Sequence, residues 1–397
     1  MRPTPALLSH TETALAELLR FARPADQTLS IYFRRNRALG QRDRAWIAET
    51  VFAVLRRKRS LEAAAQSAAP RDLVFAALAV RVKSAAGRSL PDAVQADLPD
   101  WLWERLAAEY GAAEATRISQ GLLNPAPLDL RVNLAKLSRE EALARLDLEA
   151  SATPFSPAGI RLKGKPQINR HPLFVDGAVE VQDEGSQLLA YLLAPRRGEM
   201  VADFCAGAGG KTLALSMLMR GAGRVYAMDV SARRLAELAP RAARAGVSNV
   251  HPIVLSGEGD VRAKRLAGKL DRVLVDAPCS GFGTLRRNPD LKWRHDAGSV
   301  AERAAKQARI LGAAAKLVTP GGRLVYATCS ILAEENDRVV ERFTELNRDF
   351  SAIPVGEILR QQKIPLEAGA HLQLWPHRHG TDGFFAAAFE RSEQIIR

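Results

Sequence analysis

Hydrophobic residues recur at helical spacing through the first third of the chain. In TETALAELLRFA, RDLVFAALAVRVKSA and LPDWLWERLAAEYG the apolar positions return every three or four residues, as they do along one face of an α-helix. The alternating pattern of a β-strand is nearly absent before residue 126. We therefore predict a small all-α domain over residues 1–126.

The pattern changes after the proline-containing run NPAPLDL at 124–130, which is typical of a linker. LDLRVNLAKL predicts a strand and SREEALARLDL predicts a helix, and Ser138 with Glu141 forms a capping box at the start of that helix. The segment 179–194 begins as a strand and turns helical. These elements predict a small α+β subdomain over residues 127–197.

From residue 198 onward, apolar runs alternate with helical stretches. MVADF, RVYAMDV, VHPIVLSG, LDRVLVDAP and GGRLVYATCS each lead into a helix, and GFFAAAFER near the end predicts a further strand. Apolar strands between amphipathic helices indicate a parallel sheet that is covered on both faces. We therefore predict an α/β domain over residues 198–397, with its ligands at the carboxyl ends of the strands.

Length, hydropathy and cysteine content narrow the class of protein. The chain has 397 residues, enough for two or three domains, and 47% of them are hydrophobic. It contains no run of about 18 apolar residues that would predict a transmembrane helix, and its N-terminus lacks the pattern of a signal peptide. The three cysteines suit a reducing cytoplasm, and their spacing fits no zinc motif. We expect a cytoplasmic protein with no membrane segment and no metal.

An excess of positive charge indicates a polyanionic partner. The formal net charge is +13, which favours RNA or DNA over a general bias toward Lys and Arg. The stretch 33–59 holds nine arginines and lysines but only two acidic residues. It predicts either a solvated helix with cations near its C-terminus or a patch that binds a phosphate backbone. The sequence alone does not decide between these two readings.

A glycine-rich loop, DFCAGAGGKT at 203–212, follows the first strand of the α/β domain. Cys205 stands where a Walker A loop needs its first glycine, and Thr212 stands where a dinucleotide fingerprint needs its last one. Asp229 ends the next strand, where a carboxylate suits a ribose with two free hydroxyls. Loop and carboxylate together predict a nucleoside-bearing cofactor. The alternative is a nucleotide hydrolase with Asp276 as its Mg²⁺ carboxylate, but it leaves the cysteines at the strand ends without a role.

Two cysteines follow apolar strands at the functional edge of the predicted sheet. Cys279 lies in DAPCSG and Cys329 in ATCS. The pair favours a thiolate nucleophile over two small core residues. A thiolate that adds to carbon 6 of a pyrimidine turns the ring into an enamine, whose carbon 5 can attack an electrophilic methyl group. An acid near ring nitrogen 3 would neutralise the developing charge, and Asp276 stands close to Cys279 in the sequence.

Together, DFCAGAGGKT, DAPCSG and ATCS resemble the RsmB/Sun (Fmu) family of S-adenosylmethionine-dependent RNA cytosine-5 methyltransferases. VQDEGSQL and LWPHRHGTDGFFAAAF are similar to the same family, so the resemblance covers about 130–397. LGQRDRAWIAETVFAVLR in the N-terminal helices resembles the NusB-like RNA-binding domain of the branch that methylates 16S ribosomal RNA. The resemblance implies a Rossmann-like catalytic domain, S-adenosylmethionine as cofactor, an RNA-binding α+β subdomain, and 16S ribosomal RNA as the partner of a monomeric enzyme.

The resemblance also assigns roles to individual residues. Cys329 would attack carbon 6, Cys279 would help to release the product, and Asp276 would touch both cytosine and cofactor. Asp229 would bind the ribose, and Asp260 would lie near the adenine. The loop that holds the cofactor would consist of Cys205, Ala206, Gly207, Ala208, Gly209, Gly210 and Lys211.

This loop departs from the family pattern at two positions. The family loop usually reads C-A-A-P-G-G-K, whereas Gly207 and Ala208 stand here in place of Ala and Pro. Losing the proline loosens the turn but removes no backbone donor, so we expect modestly weaker cofactor binding at most. Cys205 is expected to be structural. Lys211 would either lie near the target base or pair with a carboxylate.

Two further segments carry candidate residues. The run FGTLRRNPDLKWR at 282–294 contains four cations and predicts RNA contacts, with Arg286 and Arg287 on the phosphate backbone. His377 and His379 could suggest a metal, but no carboxylate or cysteine pattern supports one.

Three alternatives to 16S ribosomal RNA methylation remain at the level of sequence. The same chemistry could act on tRNA or on another ribosomal RNA position. The chain could also be a non-catalytic RNA-binding assembly factor, but such a protein would be expected to have lost its catalytic motifs, and Cys279, Cys329 and Asp276 are all present.

Overall fold

The structure is a computed structural model that describes residues 3–80 and 90–393. The chain forms two compact units. The helical unit comprises Met1–Pro125 and Ser280–Val300, and the sheet unit comprises Ala126–Cys279 and Ala301–Arg397. The domain limits predicted from the sequence at 126 and 197 stay predictions.

Up to residue 125, the described part of the helical unit contains helices and no strand, as predicted. The helices are α1 (Pro5–Leu18), α2 (Ala25–Arg35), α3 (Gln41–Arg56), α4 (Lys58–Ala65), α5 (Pro70–Val80), α6 (Asp92–Gln95), α7 (Asp100–Tyr110) and α8 (Ala112–Leu123). Leu15, Ile47, Val51 and Leu55 are fully buried in the core that α1 and α3 share with their neighbours. The helix predicted from RDLVFAALAVRVKSA is seen as far as Val80, and its remaining residues lie outside the described ones.

The sheet unit begins with a small antiparallel sheet in the order β2–β3–β1–β4. Its elements are β1 (Leu128–Val132), α9 (Arg139–Arg145), β2 (Ala150–Ala152), β3 (Gly159–Leu162), α10 (Pro172–Val175) and β4 (Val179–Val181). The predicted capping box is present, because the Glu141 amide donates to Ser138 Oγ at 3.1 Å and the Ser138 amide donates to Glu141 Oε2 at 2.7 Å. The helix α11 (Glu184–Leu193) then leads into the large sheet.

The large sheet has eight strands, and helices alternate with most of them. The strands and helices from Met200 onward are, in chain order, β5 (Met200–Asp203), α12 (Gly210–Leu218), β6 (Arg224–Asp229), α13 (Ala232–Ala236), α14 (Leu238–Ala245), β7 (Val250–Val254), α15 (Val261–Lys264), β8 (Leu270–Asp276), α16 (Leu291–Arg294), α17 (Ala297–Ala315), β9 (Val318–Thr328), α18 (Asp337–Leu346), β10 (Phe350–Ile353), α19 (Val355–Gln361), β11 (Leu372–Leu374), α20 (Pro376–His379) and β12 (Phe384–Arg391). Short 3₁₀ turns occur at Ile168–Arg170, Phe282–Thr284 and Ala333–Glu335.

The strand order in this sheet is β10–β12–β9–β8–β5–β6–β7, with β11 paired to β12. The pairs from β9 to β7 are parallel, as the sequence predicts, whereas β12 runs antiparallel to β9. The sequence predicted β12 as a strand but not its antiparallel direction. An apolar run predicts a strand but carries no information about its direction.

The order of the strands identifies the place where a ligand can enter. The chain builds β5, β6 and β7 in one direction and then returns to place β8 on the other side of β5. In open α/β sheets, ligands bind at such a reversal, outside the carboxyl ends of the strands. The sequences that leave β5 and β8 at this point are the glycine-rich loop and DAPCSG.

From Ser280 onward, the segment between β8 and α17 belongs to the helical unit. Lys292 Nζ donates to the Arg56 carbonyl at 2.8 Å, and Trp293 Nε1 donates to the Leu55 carbonyl at 3.0 Å. Arg286 is only 5% exposed, and its carbonyl accepts a hydrogen bond from the Arg56 guanidinium at 3.2 Å. The prediction of Arg286 as a surface contact for RNA is therefore wrong, while that for the half-buried Arg287 stays a prediction.

Candidate active site

A cavity of about 660 Å³ opens at the carboxyl ends of five neighbouring strands in the sheet unit. It lies at the strand reversal between β5 and β8. Five of the residues predicted for the site line it: Cys205, Asp229, Asp276, Cys279 and Cys329. Residues distant in the sequence therefore meet in one chamber, which is large enough for a small-molecule cofactor.

The glycine-rich loop, whose Cys205 lines this cavity, has a backbone conformation that suits glycine. Gly207 has φ of +55° and Gly209 has φ of +84°, in the region that L-residues with a side chain rarely adopt. A Cβ at Gly207 would also collide with the guanidinium of Arg234, and a Cβ at Gly209 would collide with Leu238. The departure from the family loop at position 207 thus matches the local geometry.

Asp229 holds the loop to the end of β6. One carboxylate oxygen accepts from the Gly207 amide at 2.8 Å, and the other accepts from the Ser231 amide at 2.7 Å. The side chain is 7% exposed and lines the cavity. Each carboxylate oxygen can accept more than one hydrogen bond, so the loop contacts leave acceptor capacity for a ligand.

Asp203, which the sequence analysis did not single out, is the most deeply buried carboxylate near the loop. Its Oδ2 accepts from Thr212 Oγ1 at 2.8 Å, and its Oδ1 has no hydrogen-bond partner among the described residues. Burial raises the pKa of Asp203 to about 6. A buried acceptor without a donor is costly, and such a group is expected where a ligand supplies the donor. In the sequence, the available signal for Asp203 was its position at the end of β5, directly before the glycine-rich loop.

Lys211 forms an ion pair with Asp276, which is one of the two possibilities left open by the sequence. Lys211 Nζ lies 2.6 Å from Asp276 Oδ2, and the lysine side chain is 14% exposed. Burial lowers the pKa of Lys211, but the carboxylates of Asp276 and Asp203 outweigh it and raise the pKa overall. Lys211 therefore stays charged and fixes the orientation of Asp276.

The two cysteines from different strand ends are in contact. Cys279 Sγ lies 3.4 Å from Cys329 Sγ, and both side chains line the cavity. The hydrogen bond to Cys329, together with burial, raises the pKa of Cys279 well above its usual range. Cys279 therefore keeps its proton.

Cys205 and Asp260 occupy supporting positions. Burial raises the pKa of Cys205 strongly, so this thiol is not primed for reaction. Asp260 caps α15 and accepts from the Ser256 amide at 2.7 Å and the Arg262 amide at 2.7 Å. Asp260 does not itself line the cavity, whereas Ser256 does. Any influence of Asp260 on a ligand would pass through the turn that it holds.

The other predicted loop residues are held in place through their backbone groups. The Ala206 amide donates to the Met228 carbonyl at 2.9 Å, and the Ala208 carbonyl accepts from Arg241 Nη1 at 2.6 Å. Gly210 is the first residue of α12. These contacts fix the loop from outside the cavity.

Two cations that the sequence did not predict as site residues also line the cavity. Neither lies in a sequence motif that would indicate a site. Arg234 in α13 and Lys306 in α17 both reach it. No group of three His, Cys, Asp or Glu side chains able to hold a metal occurs among residues 3–80 and 90–393. His379 accepts a hydrogen bond from the Trp375 amide at 2.9 Å through Nδ1. No helix in the described part of the chain is both long and apolar enough to cross a membrane.

Comparison with known proteins places this chain in a family. The family model for the 16S rRNA methyltransferase RsmB/F matches residues 190–390, and a model for the ferredoxin-like domain of RsmF/B-like methyltransferases matches residues 98–169. The chain is 37% identical over 305 residues to the probable ribosomal RNA small subunit methyltransferase B of Synechocystis sp., covering 75% of this chain and 68% of the relative. It is 34% identical over 309 residues to the probable ribosomal RNA small subunit methyltransferase B of Bacillus subtilis, covering 75% and 67%.

A solved structure agrees with this assignment. A methyltransferase homolog protein from Pyrococcus horikoshii superposes with a TM-score of 0.65 at 29% sequence identity, covering 76% of this chain and 97% of the homolog. The resemblance predicted from the sequence motifs is thereby confirmed, as is the α/β methyltransferase fold with its helical N-terminal region. The chain belongs to the RsmB/F family of 16S rRNA methyltransferases and is a transferase that acts on RNA.

Proposed function

We propose that this protein methylates carbon 5 of a cytosine in 16S ribosomal RNA, with S-adenosylmethionine as the methyl donor. The observation that carries the proposal is the contact of Cys279 Sγ with Cys329 Sγ at 3.4 Å in a cavity that Asp229 and Asp276 also line. The family supports the class of reaction, and the relatives named as small subunit methyltransferases support the class of RNA.

The residues around the cavity fit S-adenosylmethionine, which supplies an electrophilic methyl group. Asp203 Oδ1 is a buried acceptor without a partner among the described residues, and it suits the ammonium of the methionine portion. Gly207 and Gly209 let the backbone approach the ligand closely. Asp229 has acceptor capacity for the ribose hydroxyls. The turn at Ser256 and the exposed Val230 at the end of β6 would border the base.

Cys329 is the nucleophile in this proposal. Its sulfur forms a bond with carbon 6 of the cytosine, and the electron pair of the ring double bond moves so that carbon 5 can take the methyl group. A base then removes the proton from carbon 5. The bond between carbon 6 and sulfur breaks as the double bond returns, which frees the thiolate. The Cys279 thiol lies within reach of the departing sulfur, where it can supply a proton and so assist release.

Asp276 and Lys211 orient the base and balance charge. Lys211 occupies one carboxylate oxygen of Asp276, and we assign the other oxygen to the polar edge of the cytosine around nitrogen 3. A charged ammonium so close by also stabilises negative charge that develops on the ring during the addition. This pair gives Lys211 a role in positioning rather than in phosphate binding.

Replacement of each cysteine tests the proposal. Cys329→Ala should reduce methyl transfer by at least about 10³-fold, because the covalent route is lost, while calorimetry shows S-adenosylmethionine binding within about twofold of wild type. Cys279→Ala should accumulate a covalent enzyme–RNA adduct on a denaturing gel, because release is slowed. Retained turnover in Cys329→Ala would refute the nucleophile assignment. A lack of adduct with Cys279→Ala would refute the release role.

The target RNA is tested separately. Bisulfite mapping of total RNA from a deletion strain should show the loss of one 5-methylcytosine in 16S ribosomal RNA. Loss at a tRNA site instead would keep the chemistry and change the substrate. Because its substrate would be ribosomal RNA, we propose a cytoplasmic location. The monomeric state stays a prediction.

A further inference from the structure

A buried polar bridge ties the two cysteine-bearing loops to each other. Its centre is Gln307 of α17, whose side chain is fully buried. Gln307 Nε2 donates to the carbonyl of Pro278 at 3.0 Å and to Glu335 Oε1 at 3.0 Å. Pro278 immediately precedes Cys279 in the chain. One side of the bridge therefore ends beside Cys279.

The other side of the bridge ends beside Cys329. Glu335 is fully buried, and its Oε2 accepts from Ser330 Oγ at 2.6 Å. Ser330 immediately follows Cys329. A continuous path of hydrogen bonds thus runs from the backbone beside Cys279, through Gln307 and Glu335, to the side chain beside Cys329.

Tyr326 fixes which way the amide of Gln307 points. Tyr326 Oη lies 3.2 Å from Gln307 Oε1 and 2.5 Å from the Glu335 carbonyl, and it is fully buried. A rotated amide would bring Oε1 against the Pro278 carbonyl and the Glu335 carboxylate, so oxygen would face oxygen at both contacts. The bridge therefore has one favourable arrangement. Because these groups are buried, a group that loses its hydrogen-bond partner cannot bond to water instead.

We propose that Gln307 and Glu335 are positioning residues that set the distance between the sulfurs of Cys279 and Cys329. This inference rests on the proposed two-cysteine reaction for its functional meaning. Neither residue lines the cavity, so each acts through the loop that it holds. With the bridge broken, the loop after β8 and the loop after β9 would lose their common support, and the sulfurs would spend less time in contact.

The coupling of the two thiols can be measured without any methyl transfer. In a buffer of reduced and oxidised glutathione, a cysteine thiolate attacks the glutathione disulfide. The second cysteine then displaces glutathione, so that two protein thiols are oxidised and one glutathione disulfide is reduced to two thiols. Mass spectrometry of the Cys279–Cys329 disulfide gives the effective concentration of one thiol at the other. We expect Gln307→Leu to lower it at least tenfold.

The chain offers a closely matched control in Gln187. This glutamine is also fully buried. Its Nε2 donates to the carbonyls of Leu130 at 3.2 Å and Gln182 at 2.9 Å, and its Oε1 accepts from Ser156 Oγ at 2.7 Å. Gln187→Leu should reduce thermal stability to a similar extent as Gln307→Leu and leave the effective thiol concentration within twofold of wild type. An equal fall in both variants would show a general loss of order and overturn the inference.

A second variant keeps the test decisive if Gln307→Leu does not fold. Glu335→Gln preserves shape and removes one acceptor, and a threefold or larger fall in effective concentration is expected. A folded variant of either kind with wild-type coupling would overturn the inference. In methylation assays of these variants, kcat should fall at least tenfold relative to wild type, while KM for S-adenosylmethionine stays unchanged. If wild-type protein methylates no cytosine, the proposed function fails, while the thiol measurement still decides whether the bridge sets the sulfur distance.

Discussion

At the residue scale, Asp203 combines a cost in stability with a proposed role in binding. Burial raises its pKa from 3.8 to about 6. An acid with a raised pKa in the folded state holds its proton more tightly there than in the unfolded chain. Its contribution to stability is therefore most favourable below pH 4 and is lost as the pH rises through about 6. An ammonium group bound at Oδ1 would reverse this effect, since it favours the charged carboxylate.

We predict that Asp203 lowers the free energy of unfolding of the ligand-free protein by up to about 3 kcal/mol between about pH 4 and pH 6, at roughly 1.4 kcal/mol per pKa unit. Asp203→Asn should remove this part of the pH dependence, because the amide does not titrate. It should also weaken S-adenosylmethionine binding at least tenfold. Urea unfolding at a series of pH values and calorimetry measure the two effects. The same pH dependence in both proteins would contradict the assignment.

Individual residues differ in how far the sequence could predict them. Cys279 and Cys329 could be found because each follows an apolar strand, and parallel strands bring their carboxyl ends together. Gln307 could not, because a buried bridge depends on which helix packs beside which loop. Arg286 was misjudged for the same reason, since a cationic loop is exposed or buried according to its tertiary partners.

At the scale of elements, the turn from β5 into α12 is where local backbone geometry matters most. Gly209 caps α12 with φ of +84°, and its Cα faces Leu238 of the neighbouring helix. Gly210, the first residue of α12, has ordinary helical space around it, with its nearest neighbours at 3.8 Å and 3.9 Å from an added Cβ. Two adjacent glycines therefore have different reasons to be present.

We predict that Gly209→Ala reduces the free energy of unfolding by about 2 kcal/mol, because of the left-handed backbone and the contact with Leu238. Gly210→Ala should change it by less than about 1 kcal/mol, and in the stabilising direction, because alanine suits a helix and restricts the unfolded chain. Chemical denaturation of the two variants side by side measures the difference. Equal destabilisation would show that the sign of φ is not the deciding factor.

Most strands and helices of the large sheet could be predicted from the sequence, but some could not. Apolar runs located β5, β6, β8 and β9 because buried parallel strands are nearly continuous in hydrophobic residues. The short β10 and β11 have no such run, and their pairing with β12 depends on contacts distant in the chain. The reversal between β5 and β8, which positions the cavity, likewise emerges only when the strand order is known.

At the scale of the whole molecule, the cations that give the net charge of +13 differ in what they contact. In the stretch 33–59, Arg59 pairs with Asp100 at 2.6 Å and Lys58 pairs with Glu62 at 2.7 Å. These two cations are occupied within the helical unit. The arginines at the end of α2 and the start of α3 are exposed: Arg34, Arg35, Arg37 and Arg42. We therefore propose this second group as the surface for a phosphate backbone.

We predict that Arg37→Ala combined with Arg42→Ala weakens RNA binding and reduces its salt dependence, with the slope of log K against log salt falling by about 0.7–0.9 per lost phosphate contact. Filter binding to a 16S ribosomal RNA fragment over a range of salt concentrations measures this slope. Arg71→Ala removes one exposed cation elsewhere in the helical unit and should leave the slope unchanged. An unaltered slope in the double variant would place the RNA contacts elsewhere.

The route of the chain through residues 280–300 limits how this protein can be divided. The polypeptide leaves the sheet unit directly after Cys279, contributes Lys292 and Trp293 to the interior contacts of the helical unit, and returns at Ala301. A fragment that ends near residue 125 would lack residues 280–300, which contribute to the packing of the helical unit. A fragment that starts near residue 125 would contain residues 280–300 without the helices that they pack against. Neither unit is encoded by one uninterrupted stretch of gene, so deletion or exchange of the N-terminal helices alone also disturbs the peptide that begins directly after Cys279.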